Sequence, residues 1–186
     1  ITMKHFSRSD FPLSEVRHYL EPGPVSLISS ACDGDTNIMT HGWQTVMEFS
    51  PSLVGCMISA GNYSFDLIRR SGECVINLPT ADMADVVSNV GNSSGENIDK
   101  FTEFGLTAVT ADKVSAPLID ECFACFECVL FDDVLVDSYN FFIFEVVKAH
   151  VARRPKNPET SHYQGDGQFM ISGRHISRKR LFTKVL

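Results

Sequence analysis

The apolar residues of this chain fall into short β-rich segments, and this brevity is what most constrains the fold. Segments rich in Val, Ile and Phe that end at Gly, Pro, Asn or Asp are typical of strands. Such segments occupy residues 25–30, 38–49, 53–59, 73–78, 106–109, 123–136 and 141–151. Many short strands with few helices predict a mainly β (α+β) fold, a small β-barrel with short helices covering its ends.

Three segments between these strands have helical spacing or helix-end signals. They cover residues 64–70, 81–90 and 99–104. Asn62 or Ser64 can cap the first helix, and Gly72 and Gly105 are expected to end the first and the third. In the 38–49 strand, Gly42 predicts a bulge or a point where a ligand approaches the backbone closely.

Length and charge limit the number of domains and the classes of partner. The 186 residues suit a single domain spanning 1–186, with a core at about 20–155 and a C-terminal extension at 156–186. The net charge is −7 and the basic cluster lies in the tail, at 174–184, so we expect no nucleic-acid partner. No apolar run approaches the ~20 residues of a membrane span, and no secretory pattern opens the chain, so we expect no membrane contact.

The cysteines predict a reduced, cytoplasmic protein without a metal. All six lie in apolar segments, at Cys32, Cys56, Cys74, Cys122, Cys125 and Cys128. The spacing of the last three also suits an iron–sulfur ligand set. However, residues three apart on a strand point to opposite faces, so these thiols are not expected to converge. The six histidines show no metal-ligand spacing either.

Two clusters of polar residues flank a single Ser-Pro turn. The first is Asn37, Thr40, His41, Gly42, Trp43, Gln44 and Thr45; the second is Ser59, Asn62, Tyr63 and Ser64. The second cluster opens a predicted helix, where free backbone N–H groups and the helix dipole favour an anion. The pair therefore predicts a site for a phosphate-bearing cofactor. An ordinary turn and helix cap is the alternative interpretation of residues 59–64.

Four sequence pieces in fixed order resemble one known family. They are N-x-M-T-x-x-W at 37–43, a Ser-Pro-led strand and turn at 50–64, E-x-V-x-N at 73–77, and D-K-F, G-L-T, A-P and E-C at 99–128. This order and spacing resemble the flavin reductase-like family, and flavoredoxin-type proteins in particular. The resemblance covers roughly residues 20–150 and implies a split β-barrel that binds FMN, as a homodimer with the flavin at or near the subunit interface.

The resemblance also implies an activity, for which several alternatives stay open. The first is an NAD(P)H-dependent flavin reductase that passes electrons to free flavin, a partner oxygenase or another redox partner. The alternatives are an electron carrier without its own NAD(P)H oxidation and a non-redox flavin-binding protein. Because the chain has no G-x-G-x-x-G motif, NADH or NADPH is expected to visit the flavin transiently. No catalytic side chain is assigned, because the flavin itself accepts the hydride.

The roles of individual residues follow from the same resemblance. The first polar cluster, at residues 37–45, would line the flavin ring and ribityl chain. Within it, Trp43 is either a residue that stacks on the flavin or a core or dimer residue. Residues 59–64 would hold the phosphate, and Lys100 would reach the phosphate or ring, unless it is a solvated helix lysine. The chain departs from the family at three positions. Tyr139 stands where many members have a histidine near the flavin, so the resemblance also implies that Tyr139 contacts the cofactor. Phe144 stands where they have glycine, and His41 where a small residue is common. Phe144 is expected either to narrow the pocket or to face the barrel core.

Overall fold

The main element of the computed structural model, which describes residues 23–181, is an antiparallel seven-stranded sheet. The predicted domain ends, 1–22 and 182–186, lie outside the described residues. The described residues contain eleven strands: β1 (Ser26–Cys32), β2 (Asp35–His41), β3 (Gln44–Glu48), β4 (Leu53–Met57), β5 (Glu73–Leu78), β6 (Ala108–Val109), β7 (Leu118–Ile119), β8 (Ala124–Asp132), β9 (Phe141–Val151), β10 (Ser161–Gly165) and β11 (Gln168–Ile171). The mainly β prediction is therefore confirmed.

The order of the strands shows that the sheet curls on itself. The order is β2-β1-β5-β8-β9-β4-β3, so β2 and β3 form opposite edges. Only Gly42 and Trp43 separate these two strands in sequence. Because an extended residue spans at most ~3.6 Å, the two edges lie within roughly 11 Å of each other at this point. The sheet is therefore a barrel that is split between β2 and β3.

Four α-helices accompany the sheet in the described residues. They are α1 (Tyr63–Ser71), α2 (Ala84–Gly91), α3 (Lys100–Glu103) and α4 (Val136–Tyr139), and 3₁₀ turns occupy Ala81–Met83 and Lys179–Leu181. Helix α1 ends as predicted at Gly72, whose φ of 69° is left-handed and whose N–H donates to Ile68 O at 2.8 Å. Among residues 23–181, no helix has the length and apolar character that a membrane span requires.

Side chains on the two faces of the sheet form two separate apolar clusters. On β1, Leu27 packs in the first cluster and its neighbour Ile28 in the second, and α1 covers the second. Cys122 and Cys125 belong to the first cluster and Cys128 to the second. Cys125 and Cys128 thus lie on opposite faces, as the strand period predicted, whereas Cys122, which precedes β8, lies on the same face as Cys125.

Three predicted elements differ from the structure. The 38–49 strand is interrupted at Gly42–Trp43, because the chain crosses there from one sheet edge to the other. The 123–136 strand ends at Asp132, whose carboxylate accepts the Val134 N–H at 2.8 Å and turns the chain into α4. The 156–186 segment, expected as an extension, contains the β10–β11 hairpin. Val25 N–H donates to Ser161 O at 2.9 Å and ties this hairpin to the start of β1.

Candidate functional site

A cavity of about 550 Å³ opens where the barrel is split. This volume lies in the range of small-molecule sites, roughly 300–1,000 Å³. The β2–β3 junction, the end of β4, the start of α1, one side of α2 and the hairpin contribute the lining. The lining residues are Val25, Met39, Thr40, His41, Gly42, Trp43, Met57, Ser59, Asn62, Val87, Ser88, Gly91, Asn92, Tyr163, Gly167 and Phe169.

A buried network of hydrogen bonds fixes the junction below the cavity. His41 is 4% exposed; its Nδ1 lies 2.8 Å from Gln44 Oε1 and its Nε2 lies 3.0 Å from Met57 O. Gln44 Oε1 also accepts from Ser26 Oγ at 2.8 Å, and Gln44 Nε2 donates to Pro24 O at 2.6 Å. Burial lowers the pKa of His41, and the contacts with Gln44 and Met57 oppose this only in part.

Polar groups at the start of α1 form one end of the cavity. Ser59 O accepts the Asn62 N–H at 2.9 Å, and Ser59 Oγ accepts the Gly61 N–H at 3.4 Å. Asn62 occupies the N-cap position, but its side chain makes no cap hydrogen bond to the helix. Ser59 and Asn62 therefore present polar side chains to the cavity beside the positive end of the α1 dipole.

Asn37 and Ser64, predicted to hold the cofactor, lie buried behind the start of α1. Asn37 Nδ2 donates to Ser64 Oγ at 2.9 Å, and Ser30 Oγ donates to the same oxygen at 3.2 Å. Asn37 Oδ1 is buried without a hydrogen-bond partner. Gly95 approaches it so closely that a Cβ at this glycine would overlap Asn37 Oδ1. These side chains do not line the cavity. Their hydrogen bonds instead join α1 to the sheet.

Lys100 is also placed away from the cavity, and it is not the solvated lysine of the alternative interpretation. It is 5% exposed, and its Nζ donates to Ile38 O and to Val90 O, each at 2.9 Å. Asp99 caps α3 by accepting the Phe101 N–H at 3.0 Å, which fixes the helix that carries this lysine. Burial lowers the pKa of Lys100 to about 8. Its ammonium group therefore links β2 to the end of α2.

Four other predicted residues point elsewhere in the described chain. The amide of Gln44 belongs to the buried network, Thr45 is exposed on the edge strand β3, and Tyr63 Oη donates to Asp35 at 3.5 Å. Tyr139 is 70% exposed at the end of α4. Of the predicted site residues, the cavity brings together Thr40, His41, Gly42, Trp43, Ser59 and Asn62. The role of each in cofactor binding stays a prediction.

The departure at Phe144 does not narrow the cavity. Phe144 is fully buried and stacks on Phe142, with ring centroids 5.7 Å apart and planes 2° from parallel. Both rings belong to the apolar cluster beneath α1. Of the two expectations for Phe144, the structure thus selects the barrel core.

The sequence did not reveal two walls of the cavity. Helix α2 contributes Val87, Ser88 and Gly91, and a Cβ at Gly91 would meet Thr40 Cβ at 3.3 Å. The hairpin contributes Tyr163 and Phe169, whose ring centroids are 5.2 Å apart. The Asp-Gly pair at 166–167, a hairpin signal, could have revealed this wall.

One group of potential metal ligands is found in the described residues, away from the cavity. Ligand atoms of Asp112, Glu127 and His150 lie within 4.8 Å of one another. Glu127 already accepts from the backbone N–H of Asp112 at 3.0 Å, from that of Lys113 at 2.5 Å, and contacts His150 Nε2 at 2.6 Å. Burial raises the pKa of Glu127, but these hydrogen bonds outweigh it and lower the pKa. The carboxylate therefore acts as a structural link.

The family described as "Flavin reductase like domain" matches residues 18–169. The chain belongs to the flavin reductase-like family. An uncharacterized protein of Archaeoglobus fulgidus is 34% identical to it over 129 residues, 69% of this chain and 72% of the relative. The uncharacterized protein YddH of Escherichia coli is 28% identical over 179 residues, 89% of this chain and 95% of the relative.

Solved structures of flavin reductase-like proteins share the fold. A flavoredoxin of Desulfovibrio vulgaris superposes with a TM-score of 0.78 at 21% identity, covering 98% of this chain and 100% of its own. The FMN-binding domain of a flavin reductases-like enzyme from Shewanella baltica gives 0.77 at 23% identity, covering 91% and 96%. The predicted split β-barrel of FMN-binding proteins is therefore confirmed as the fold of this member of the family.

Proposed function

We propose that this protein binds FMN in the cavity at the split of the barrel and uses it to oxidise NADH or NADPH. The observation that carries the proposal is the make-up of this cavity in a member of the flavin reductase-like family. One end has polar side chains at a helix N-terminus, and the walls are apolar and aromatic. This arrangement fits a planar ring that carries a phosphate on a polar chain.

The residues present suit each part of FMN. Ser59, Asn62 and the first turn of α1 would hold the phosphate through hydrogen bonds and the helix dipole. The backbone of Gly42 and Trp43 offers fixed dipoles to the polar edge of the ring, and the Trp43 indole offers a stacking surface. When bound, FMN supplies the hydride-accepting chemistry.

The remaining lining residues would exclude water and orient the ring. Val87 from α2 and Phe169 from the hairpin supply apolar surface on two sides of the cavity. Because the hairpin is tied to the barrel through Ser161, it holds Tyr163 and Phe169 in the wall of the cavity. A dry site strengthens the electrostatic interactions that stabilise the reacting groups.

An electron-accepting partner is part of the proposal. The nitrilotriacetate monooxygenase component B of Bacillus cereus has the same fold, with a TM-score of 0.74 at 18% identity over 95% of this chain. This supports transfer from the reduced cofactor to free flavin or to a partner oxygenase. The flavoredoxin likeness keeps an electron carrier as the second candidate. A non-redox flavin-binding protein is the third candidate, although Phe144 lies in the core and does not block the cavity.

A homodimer is proposed from the edge strand beside the cavity. β3 and the residue after it carry Val46 at 71%, Met47 at 45% and Phe49 at 80% exposure. An exposed apolar edge strand favours association with another chain. A second copy seated on β3 would cover these side chains and enclose the adjoining Trp43.

The six cysteines are free thiols, and this supports a location in a reducing compartment, the cytoplasm.

Spectroscopy of the purified protein tests the proposal. Flavin absorption bands, with FMN identified by mass after heat release, are the expected result. Stopped-flow oxidation of NADH and of NADPH then separates the reductase from the carrier, which would accept electrons only after photoreduction. A protein that is colourless and fails to bind added FMN would refute the cofactor, and size-exclusion chromatography with light scattering tests the dimer.

A further inference from the structure

The hydrogen bonds around His41 contain one acceptor too many for a neutral imidazole. A neutral histidine donates from one ring nitrogen and accepts at the other, whereas the imidazolium donates from both. His41 Nε2 faces the carbonyl oxygen of Met57, which can only accept. His41 Nδ1 faces Gln44 Oε1, which is also an acceptor. With a neutral ring, one of these buried contacts therefore brings two lone pairs together.

Turning the Gln44 amide does not resolve the conflict. The exchange would place a donor opposite His41 Nδ1, but it would also bring the amide oxygen 2.6 Å from Pro24 O. That contact would then join two acceptors at hydrogen-bond distance. The Ser26 hydroxyl can donate or accept and does not decide the orientation. The arrangement that satisfies all these groups is the one with protons on both nitrogens of His41.

Within the part of the chain that the structure describes, the surroundings of His41 offer no charge to balance an imidazolium. The polar groups that face it are the amide of Gln44 from β3 and the carbonyl of Met57 at the end of β4. Within residues 23–181, no carboxylate, lysine or arginine is among the causes acting on its pKa. Hydrogen bonding therefore favours the charged ring and burial opposes it. An added negative charge in the adjoining cavity decides between the two states.

We propose that His41 takes up a proton from solvent when FMN bound in the cavity is reduced, so that its imidazolium balances the charge gained by the cofactor. This inference rests on the proposed function. The hydride from the nicotinamide carries two electrons and one proton, so it adds one negative charge to the site. The proton on His41 comes from water and adds one positive charge. His41 is buried and lines the cavity, so its positive charge would lie close to the negative charge of the reduced cofactor.

Nitrogen NMR of ¹⁵N-histidine-labelled holoprotein tests this uptake directly. Spectra across pH 5–9 are compared for the apo protein, the FMN-loaded oxidised protein and the protein reduced with dithionite. At pH 7 the His41 nitrogens are expected to show the neutral pattern before reduction and the doubly protonated pattern after it. His150, which lies away from the cavity, serves as the internal control, and its nitrogen signals should not change when the protein is reduced. A His41 ring that stays neutral after reduction overturns the proposal.

The midpoint potential of bound FMN provides a second, independent readout. His41 would take up one extra proton per two electrons in the wild type. The slope of the potential against pH should therefore be steeper in the wild type than in His41→Gln, and the difference should be about 30 mV per pH unit. Glutamine keeps a neutral donor for Met57 O but cannot titrate. If the potential changes equally with pH in the wild type and in His41→Gln, the proton uptake is refuted, whereas the proposal that the protein binds FMN still stands. Should the variant not fold, the NMR result on the wild type decides alone. Absence of flavin bands, by contrast, refutes the proposed function itself.

Discussion

The pH dependence of folding gives the sharpest test of the buried Lys100. In the folded protein its pKa falls from 10.5 to about 8, because burial penalises its ammonium group and no counter-charge among residues 23–181 offsets this penalty. Below pH 8 the lysine is charged in both the folded and the unfolded chain, and the folded state bears the full cost of burying it. Between pH 8 and 10.5 the unfolded chain binds more protons, so stability rises with pH. Above 10.5 the contribution stays constant.

The magnitude follows from the size of this shift. At 1.36 kcal/mol per pKa unit, the free energy of unfolding should gain roughly 3 kcal/mol from Lys100 between pH 8 and pH 10.5. Lys100→Met should remove this gain. The substitution also removes the Lys100 donor from Ile38 O and Val90 O, although Val90 O still accepts from Ser93 Oγ at 3.2 Å. The lost hydrogen bonds add a cost of about 1–3 kcal/mol. That second cost does not vary with pH.

Urea unfolding followed by circular dichroism, repeated at pH 7, 8, 9 and 10, measures the effect. The quantity compared is the difference in unfolding free energy between wild type and Lys100→Met at each pH. Lys113→Met, which removes an exposed lysine, is the matched control and should follow the wild type. A wild-type-to-variant difference that stays constant from pH 7 to pH 10 would refute the assigned burial of an uncompensated charge.

Three further substitutions test the site and its support. Asn62→Ala should weaken FMN binding by about 1–3 kcal/mol if its amide contacts the phosphate, as measured by flavin fluorescence titration; unchanged affinity would remove that assignment. Phe144→Ala should lower the free energy of unfolding by about 3–5 kcal/mol without faster NAD(P)H oxidation, and a faster rate would contradict its place in the core. Gly95→Ala should destabilise the protein, because its Cβ would overlap Asn37 Oδ1; an unchanged melting temperature would argue against this close approach.

Local chemistry made several elements of the fold predictable. The β9 strand matches its predicted range of 141–151, because a long Val- and Phe-rich segment pairs on both sides, with β8 and β4. Gly72 ends α1 as predicted, because glycine adopts the left-handed conformation of this position without steric cost. The resemblance of residues 37–64 also identified the region that forms much of the cavity.

Long-range contacts account for what the sequence did not reveal. Lys100 and Ile38 are 62 positions apart, and nothing local in a D-K-F piece indicates that its lysine meets two backbone carbonyls. The 38–49 segment looks continuous, because its break at Gly42–Trp43 depends on which sheet edge receives β3. The hairpin lies far along the chain from the polar clusters, and its contact with the cavity depends on the pairing of Ser161 with Val25.

The two-residue connection between opposite edges of one sheet has a mechanical consequence. Away from Gly42 and Trp43, β2 and β3 are not neighbours in the sheet, so backbone hydrogen bonds do not hold them together. A ligand that contacts both sides of this opening acts as a clamp that resists its widening. Hydrogen exchange should therefore slow together in β2, β3 and the β10–β11 hairpin when the cavity is filled, while amides in the centre of the sheet keep their rates.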